Sequence, residues 1–410
     1  MSNPSPLRIC LYVAVPPEQE YRQLPASPVL RAKAALGRAL DVVCWALRVH
    51  TKVRFHHWHT HDVTNKGDIA IREAVKQQLA AIFAPRQVTF TTLGWSELDS
   101  ETAKRIGSTH DLFVIAGSGY VSAPDDGELA PRYEADRKAL AEMACKKISY
   151  GIGWNKLLPG SDGQEMLPLT QRSRDTLKGI FGQLESVSVR DEATRELVES
   201  VTGVAPFLTG DPALFYRGAS PQTPARSGKL PTPTKKLNVG LNIALHGNAS
   251  AARVGSQLDT VCEFLRAFAQ QHDLVYHYMQ HSHTERAIPL LLRTRGISVK
   301  TVDISPEHLP AYYGTLDLHL CQMLHSAILC LDAGVPTLTF AYDVKSLGFF
   351  EVMQMPQYCL RSDPFDPAQA IVTANEMLEN AAAVRTHIAR RKAEIWQSGD
   401  AFRAQIKGLF

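Results

Sequence analysis

No stretch of this chain approaches the roughly 20 consecutive apolar residues that span a bilayer. The opening segment MSNPSPLRICLYVAVPPEQE also lacks the long apolar centre of a secretory signal. A cytoplasmic protein is expected, with peripheral contact at the inner face of the membrane left open. Charge of one sign is missing too. Forty-four Lys and Arg against 41 Asp and Glu leave a formal charge of +3, too little for the concentrated positive field of a dedicated nucleic-acid binder. No nucleic-acid partner is expected. Closely spaced cysteines are absent: the seven present are an odd number, and several lie in apolar runs such as SAILCLDAGV, where a thiol acts as a small hydrophobe. That usage fits a reducing compartment and argues against a disulfide framework.

What is present is ample apolar material. With 410 residues, 45% of them hydrophobic and 21% charged, the chain can bury two cores. From residue 53, β-branched or aromatic runs alternate with helical patterns, the signature of parallel sheets with crossover helices. The first half offers VRFHHW, VTFTTL, DLFVIAG, ISYGIG and SVSVRD, and APFLTGD closes it. The clearest helix is DIAIREAVKQQLAAIF from Asp68, with apolar positions 71, 74, 75, 79, 82 and 83 on one stripe.

Residues 216–236, YRGASPQTPARSGKLPTPTKK, carry four prolines and no hydrophobic period, and predict an exposed linker. The alternation then restarts with LNVGLNIA, a helix near 255–271, DLVYHYM, ISVKTVDI, DLHLCQM and PTLTFAY. From 366 onward the pattern is helical, fit either to pack back on the first domain or to lie on a membrane through its basic face. Residues 1–50, with ICLYVAV and an apolar helix, read as an addition before the core. The expected class is α/β, two doubly wound Rossmann-like domains facing across a cleft: 1–215, the linker, 237–365, and C-terminal helices over 366–410. Ligands of such sheets sit between the carboxyl ends of the strands.

Several segments fall at those ends. Asn65-Lys66-Gly67-Asp68 opens a helix, so its amides and positive helix end can face an anion, with Asp68 as the cap. A plain strand-to-helix turn accounts for the same four residues. Ala116-Gly117-Ser118-Gly119 ends a strand with small residues that let a ligand, or a packed helix, approach the backbone. Ser188-Val189-Arg190-Asp191 sets Arg190 at the cleft edge, its fork available for carboxylate or phosphate, or else paired with a neighbouring acid. The block from Met323 to Met353 puts His325 and Lys345 near the carboxyl ends of adjacent strands. A histidine there can exchange a proton near neutral pH, and a lysine can hold a phosphate as a point charge. FHHWHTHD would direct His57, His59 and His61 to one strand face, with His56 on the other. Without a matching Cys or acidic partner this is read as a polar cleft wall, not a metal site, and so are His281 and His283.

Taken in order, the Asn-x-Gly-Asp turn, the strand from Asp111 to Gly119, Ser188 to Asp191, Gly210-Asp211-Pro212-Ala213 and Leu324-His325 through Lys345 resemble the polysaccharide pyruvyl transferase family. The resemblance covers about residues 53–353. It implies a glycosyltransferase-B-like fold and transfer of the pyruvyl group of phosphoenolpyruvate, as donor substrate and with no cofactor, to a sugar as a ketal. It implies that Arg190 and His325 face the donor, with His325 moving the proton. Lys345 matches a recurrent family position and is expected, from its place at a strand end, to bind the donor; Asn65, Gly67, Asp68, Ser118 and Gly119 are expected to bind substrate, and the acceptor is expected to be a saccharide, soluble or lipid-linked.

One departure stands out. The family commonly places arginine two residues before the histidine, and this chain has Met323, which cannot give a bidentate charged contact. Either Arg72, Arg361 or Lys345 compensates, or the donor has changed. A glycosyltransferase using a nucleotide-activated sugar, or a non-catalytic glycan-binding relative, remain the competing expectations. The sequence assigns no oligomeric state.

Overall fold

The structure, a computed structural model, describes residues 5–15, 27–47, 65–123, 126–156, 158, 167–219, 236–243, 248–282, 285 and 287–410. The segment VRFHHW, the histidines at 56–61, His283 and most of the proline-rich linker lie outside these residues.

In chain order the first half runs β1 (Leu7–Val13), α1 (Pro28–Ala46), α2 (Lys66–Phe83), β2 (Val88–Gly94), α3 (Ser100–Thr109), β3 (Leu112–Ala116), β4 (Val121–Ser122), α4 (Arg132–Glu142), β5 (Lys146–Ile152), β6 (Trp154–Asn155), α5 (Gln171–Phe181), β7 (Ser186–Val189), α6 (Glu192–Thr202) and β8 (Phe207–Leu208). Six strands form a sheet in the order β2-β1-β3-β5-β7-β8, all neighbours parallel.

β1 is therefore not an addition to the core. It is an inner strand, paired with β2 through Leu7↔Val88 and with β3 through Ile9↔Leu112. Its apolar residues are buried on both faces, as a central parallel strand requires. The edge strand β2, by contrast, alternates between more and less exposed positions. APFLTGD yields only the short β8, because Thr209 and Gly210 lead straight into a 3-10 turn at Pro212–Phe215.

The second half runs β9 (Leu237–Asn242), α7 (Asn248–Gln271), β10 (Leu274–Met279), α8 (Ile288–Thr294), β11 (Val299–Val302), α9 (Leu309–Tyr313), β12 (Leu318–Cys321), α10 (Leu324–Asp332), β13 (Thr337–Ala341), α11 (Val344–Val352) and β14 (Cys359–Arg361). The sheet order is β11-β10-β9-β12-β13-β14, all parallel. Counted within its own half this is the 3-2-1-4-5-6 order of a Rossmann sheet, whose ligand crevice opens where the order reverses, between β9 and β12. The first sheet reverses between β1 and β3. The fold is α/β, two Rossmann-like domains facing across a cleft.

Helices α12 (Pro367–Glu379), α13 (Ala381–Ser398) and α14 (Asp400–Lys407) end the chain. Of the two expectations for this tail, packing back onto the first domain is what the structure shows. Phe402 is fully buried, with its ring 5.1 Å from Tyr150 and 5.7 Å from Phe207. Ser398 Oγ donates to the Leu208 carbonyl at 3.2 Å, and Gln405 Nε2 to that of Glu185 at 3.1 Å. Among the described residues no helix is long and apolar enough to cross a membrane. The start of the expected exposed linker also differs. Tyr216 is buried, and the Ala219 amide donates to Glu307 of the second domain. An aromatic ring there gains more from the core than from solvent.

Candidate functional site

The first turn of α2 projects into the cleft. Its cap is Asn65, whose side chain accepts from the Gly67 amide at 2.9 Å. Asp68, expected as the cap, already lies inside the helix and instead accepts from Ser118 Oγ at 2.7 Å. Capping belongs to the residue that precedes the first helical turn, and the helix begins two residues earlier than expected. Ser118 has φ +60°, rare for a residue with a side chain, and follows Gly117 at +58°. This turn sits at the reversal point of the first sheet. Gly119 is held close to Asn155: its carbonyl accepts from Asn155 Nδ2 at 3.3 Å, and a Cβ would fall 2.1 Å from that nitrogen.

Gly67 touches the facing domain. A Cβ on it would lie 2.3 Å from His325 Cβ and 2.5 Å from His325 Nδ1. Only glycine allows α2 to approach the start of α10 this closely. Lys66 is entirely buried between the domains, with Nζ 2.5 Å from the Gln280 carbonyl and 3.2 Å from Asp303.

His325 Nε2 is 3.8 Å from Asp211 Oδ2, an ion-pair distance rather than a hydrogen bond. Arg190 Nη1 approaches the same oxygen at 3.4 Å, and Arg190 Nε meets Asp191 at 3.2 Å. Arg190 is 3% exposed, and of the two readings of its fork the pairing with neighbouring acids is what the structure shows for most of it, through Asp191 and Asp211 of its own domain. Burial works against its charge, but Asp191 and Asp211 more than offset this and hold the guanidinium firmly protonated. Burial likewise pushes the Asp211 carboxyl up, and His325 and Arg190 together pull it below the ordinary range. Within this Arg-Asp-His cluster two buried nitrogens, Arg190 Nη2 and His325 Nε2, have no hydrogen-bond partner. Gly153 accommodates the arginine, since a Cβ there would sit 2.1 Å from Arg190 Nε.

Lys345 opens α11 and pairs with Asp343 at 3.2 Å. Asp343 caps that helix through the Ser346 amide and hydroxyl, and its charge also reaches Arg190. Across the interface the Val344 amide donates to the Lys156 carbonyl at 2.8 Å, and Gly348 packs against Asp191. Arg190, His325 and Lys345 therefore belong to one charged neighbourhood, reached from the first domain by Gly67, which packs on His325, and next to it Asp68 is tied to Ser118.

The proposed stand-ins for the absent arginine fare unevenly. Arg72 pairs with Glu73 at 2.7 Å, and Arg361 ends the edge strand β14, exposed and bonded to the Asp363 carbonyl. Met323 is 5% exposed and leads into α10, its amide donating to Asn242 Oδ1 at 3.3 Å.

Asp211, Asp191 and Asp343 were not among the predicted site residues. The available signal was positional: each follows a strand and precedes a helical turn that it caps. Among the described residues no group of three His, Cys, Asp or Glu side chains could hold a metal ion. A pocket of about 770 Å³ opens elsewhere, between α2, Tyr216 and α13, and contains none of these cleft residues. Buried ionic partners with spare donors mark the chemistry better than that open groove does.

Two Rossmann-like domains meet at a buried Arg-Asp-His cluster where their strand ends face each other, the class of fold that two facing doubly wound sheets make. The chain belongs to the polysaccharide pyruvyl transferase family, whose model matches residues 65–344. No curated protein matches it in sequence. Among solved structures it is similar to a putative UDP-N-acetylglucosamine 2-epimerase from Listeria monocytogenes, with 11% identity, TM-score 0.48 and coverage of 94% of this chain and 91% of that one. An α,α-trehalose 6-phosphate synthase from Burkholderia multivorans gives 13%, 0.47, 99% and 97%. The O-GlcNAc transferase of Thermobaculum terrenum gives 14%, 0.45, 99% and 68%. Likenesses this distant carry no functional weight.

Proposed function

We propose that this protein transfers the pyruvyl group of phosphoenolpyruvate to a saccharide, soluble or lipid-linked, and closes a ketal on two of its hydroxyls. The observation that carries this reading is the pair of buried nitrogens, Arg190 Nη2 and His325 Nε2, left without partners beside Asp211. An unsatisfied buried polar group costs about 1–3 kcal/mol, which an anionic donor accepting from both would recover.

In the proposed reaction a proton adds to the enol methylene, leaving an oxocarbenium-like C2. One sugar hydroxyl attacks C2 and loses its proton, the C2–O bond to phosphate breaks, and the second hydroxyl then adds and loses its proton. The products are the pyruvate ketal and inorganic phosphate. His325 moves the proton, with Asp211 beside it, and Arg190 and Lys345 hold the carboxylate and phosphate. Phosphoenolpyruvate is consumed as substrate, and this route calls on no resident cofactor. Asn65, Gly67, Asp68, Ser118 and Gly119 form the acceptor-side wall.

Buried Met323, where the family commonly has arginine, favours one second reading: the same scaffold acting on a nucleotide-activated sugar. Thermal denaturation separates the two. Phosphoenolpyruvate at a hundredfold excess over its Kd should add about 2.7 kcal/mol of stability. That gain should shrink in Arg190→Lys and His325→Gln, and added saccharide should release phosphate. Stabilisation by nucleotide sugars alone would transfer the assignment to glycosyl transfer.

A further inference from the structure

We infer that His281, Tyr313, Ser326 and His319 form a positioning network that sets the orientation of His325 and ties it to the docking of the first domain. The inference rests on the proposed role of His325. His281 Nε2 shares a hydrogen bond of 2.6 Å with the Tyr313 hydroxyl, Tyr313 one of 2.8 Å with Ser326 Oγ, and Ser326 one of 2.8 Å with His319 Nε2. All four residues are fully buried. They come from separate elements: His281 follows β10, Tyr313 ends α9, His319 lies in β12, and Ser326 lies in the first turn of α10, directly after His325.

The far end of the chain reaches the other domain. The His281 carbonyl accepts from the Lys66 amide at 3.0 Å, and the next residue, Gly67, is the one packed on His325. A circuit therefore runs from the start of α2 through His281, Tyr313 and Ser326 to His325, and returns across the contact with Gly67.

An apolar core could hold α10 in place without this chain. Burying polar groups costs free energy unless they are paired, and what pairing adds is direction. Ser326 Oγ, with Tyr313 and His319 both as partners, favours one rotation of the first turn of α10 about its axis. That rotation sets where His325 Nε2 lies relative to Asp211, and small misplacements at a reacting centre are expensive. His319 itself has room only because residue 240 is glycine, where a Cβ would fall 2.4 Å from His319 Nδ1.

Tyr313→Phe removes the central hydroxyl and leaves the ring. Tyr312→Phe is the matched control: its hydroxyl bonds His277 at 2.8 Å, His277 bonds Asn238 at 3.1 Å, and neither bond touches α10. Two readouts need no donor. Amide exchange across residues 323–328 should quicken about tenfold in Tyr313→Phe and stay near wild type in Tyr312→Phe. The carbon-13 NMR resonance of the His325 ring, assigned by its loss in His325→Gln, should shift in Tyr313→Phe only. Equal behaviour of the two variants, or faster exchange with an unmoved His325 resonance, would overturn the proposal. Phosphoenolpyruvate binding is scored separately: if it fails while the His325 resonance responds to Tyr313→Phe alone, the donor assignment falls and the network stands.

Discussion

A protonated histidine is costly where water cannot reach it, and His319 shows which way the cost runs. It is fully buried, and desolvation pushes its pKa from the usual 6.5 down to about 3. Between those values the unfolded chain binds a proton that the folded chain refuses. This contribution to stability is therefore complete above pH 6.5 and is lost as the pH falls towards 3, by about 1.4 kcal/mol per pH unit. Urea unfolding at pH 6.5 and pH 5 should show that loss in the wild type, and His319→Gln should flatten the slope by about the same amount. Asp211 contributes with the same sign at lower pH, since its carboxyl is held below the ordinary range by His325 and Arg190 against the cost of burial.

Helix starts matter more to this site than helix bodies. α2 presents Asn65, Gly67 and Asp68, α10 presents His325, and α11 presents Lys345, each within the first turn or its cap. At the start of α2 two rules conflict. Helix propensity favours alanine over glycine by about 1 kcal/mol, yet a Cβ at residue 67 would meet the His325 side chain at 2.3–2.5 Å. Gly67→Ala should leave the urea midpoint close to wild type while lowering turnover at least about tenfold, because His325 must move. An unchanged turnover would show that the ring tolerates displacement. The helical stripe at 71, 74, 75, 79, 82 and 83 was legible because its 3.6-residue period is local, and all six positions are buried. The cap was harder to see, since Asn65 and Asp68 are equally good capping residues and only the starting point of the helix separates them. β1 was misplaced for a related reason: a short apolar strand reads alike whether it lies at the edge of a sheet or inside it.

At the scale of the whole molecule the last helices bind back onto the first domain. Phe402 in α14 is fully buried against Tyr150 and Phe207 of the first domain, although it follows every strand of the second. Phe402→Ala should cost about 3–5 kcal/mol, read as a lower urea midpoint, and the loss should appear in the unfolding of the first domain. Sequence alone determined the α/β class, the two rounds of strand and helix, and the order of the motifs from Asn65 to Lys345, because periodicity, turn residues and spacing are properties of neighbouring positions. It also singled out Arg190 and His325. Only the tertiary structure decided that Asp211 stands between them, that acids from its own domain occupy most of the Arg190 fork, and that Gly67 meets His325. Gly67 and Asp211 reach His325 across more than a hundred residues and between two domains, and Arg190 reaches Asp211 from a neighbouring strand end of the same sheet; both are set by how the sheets pack and not by any pattern along the chain.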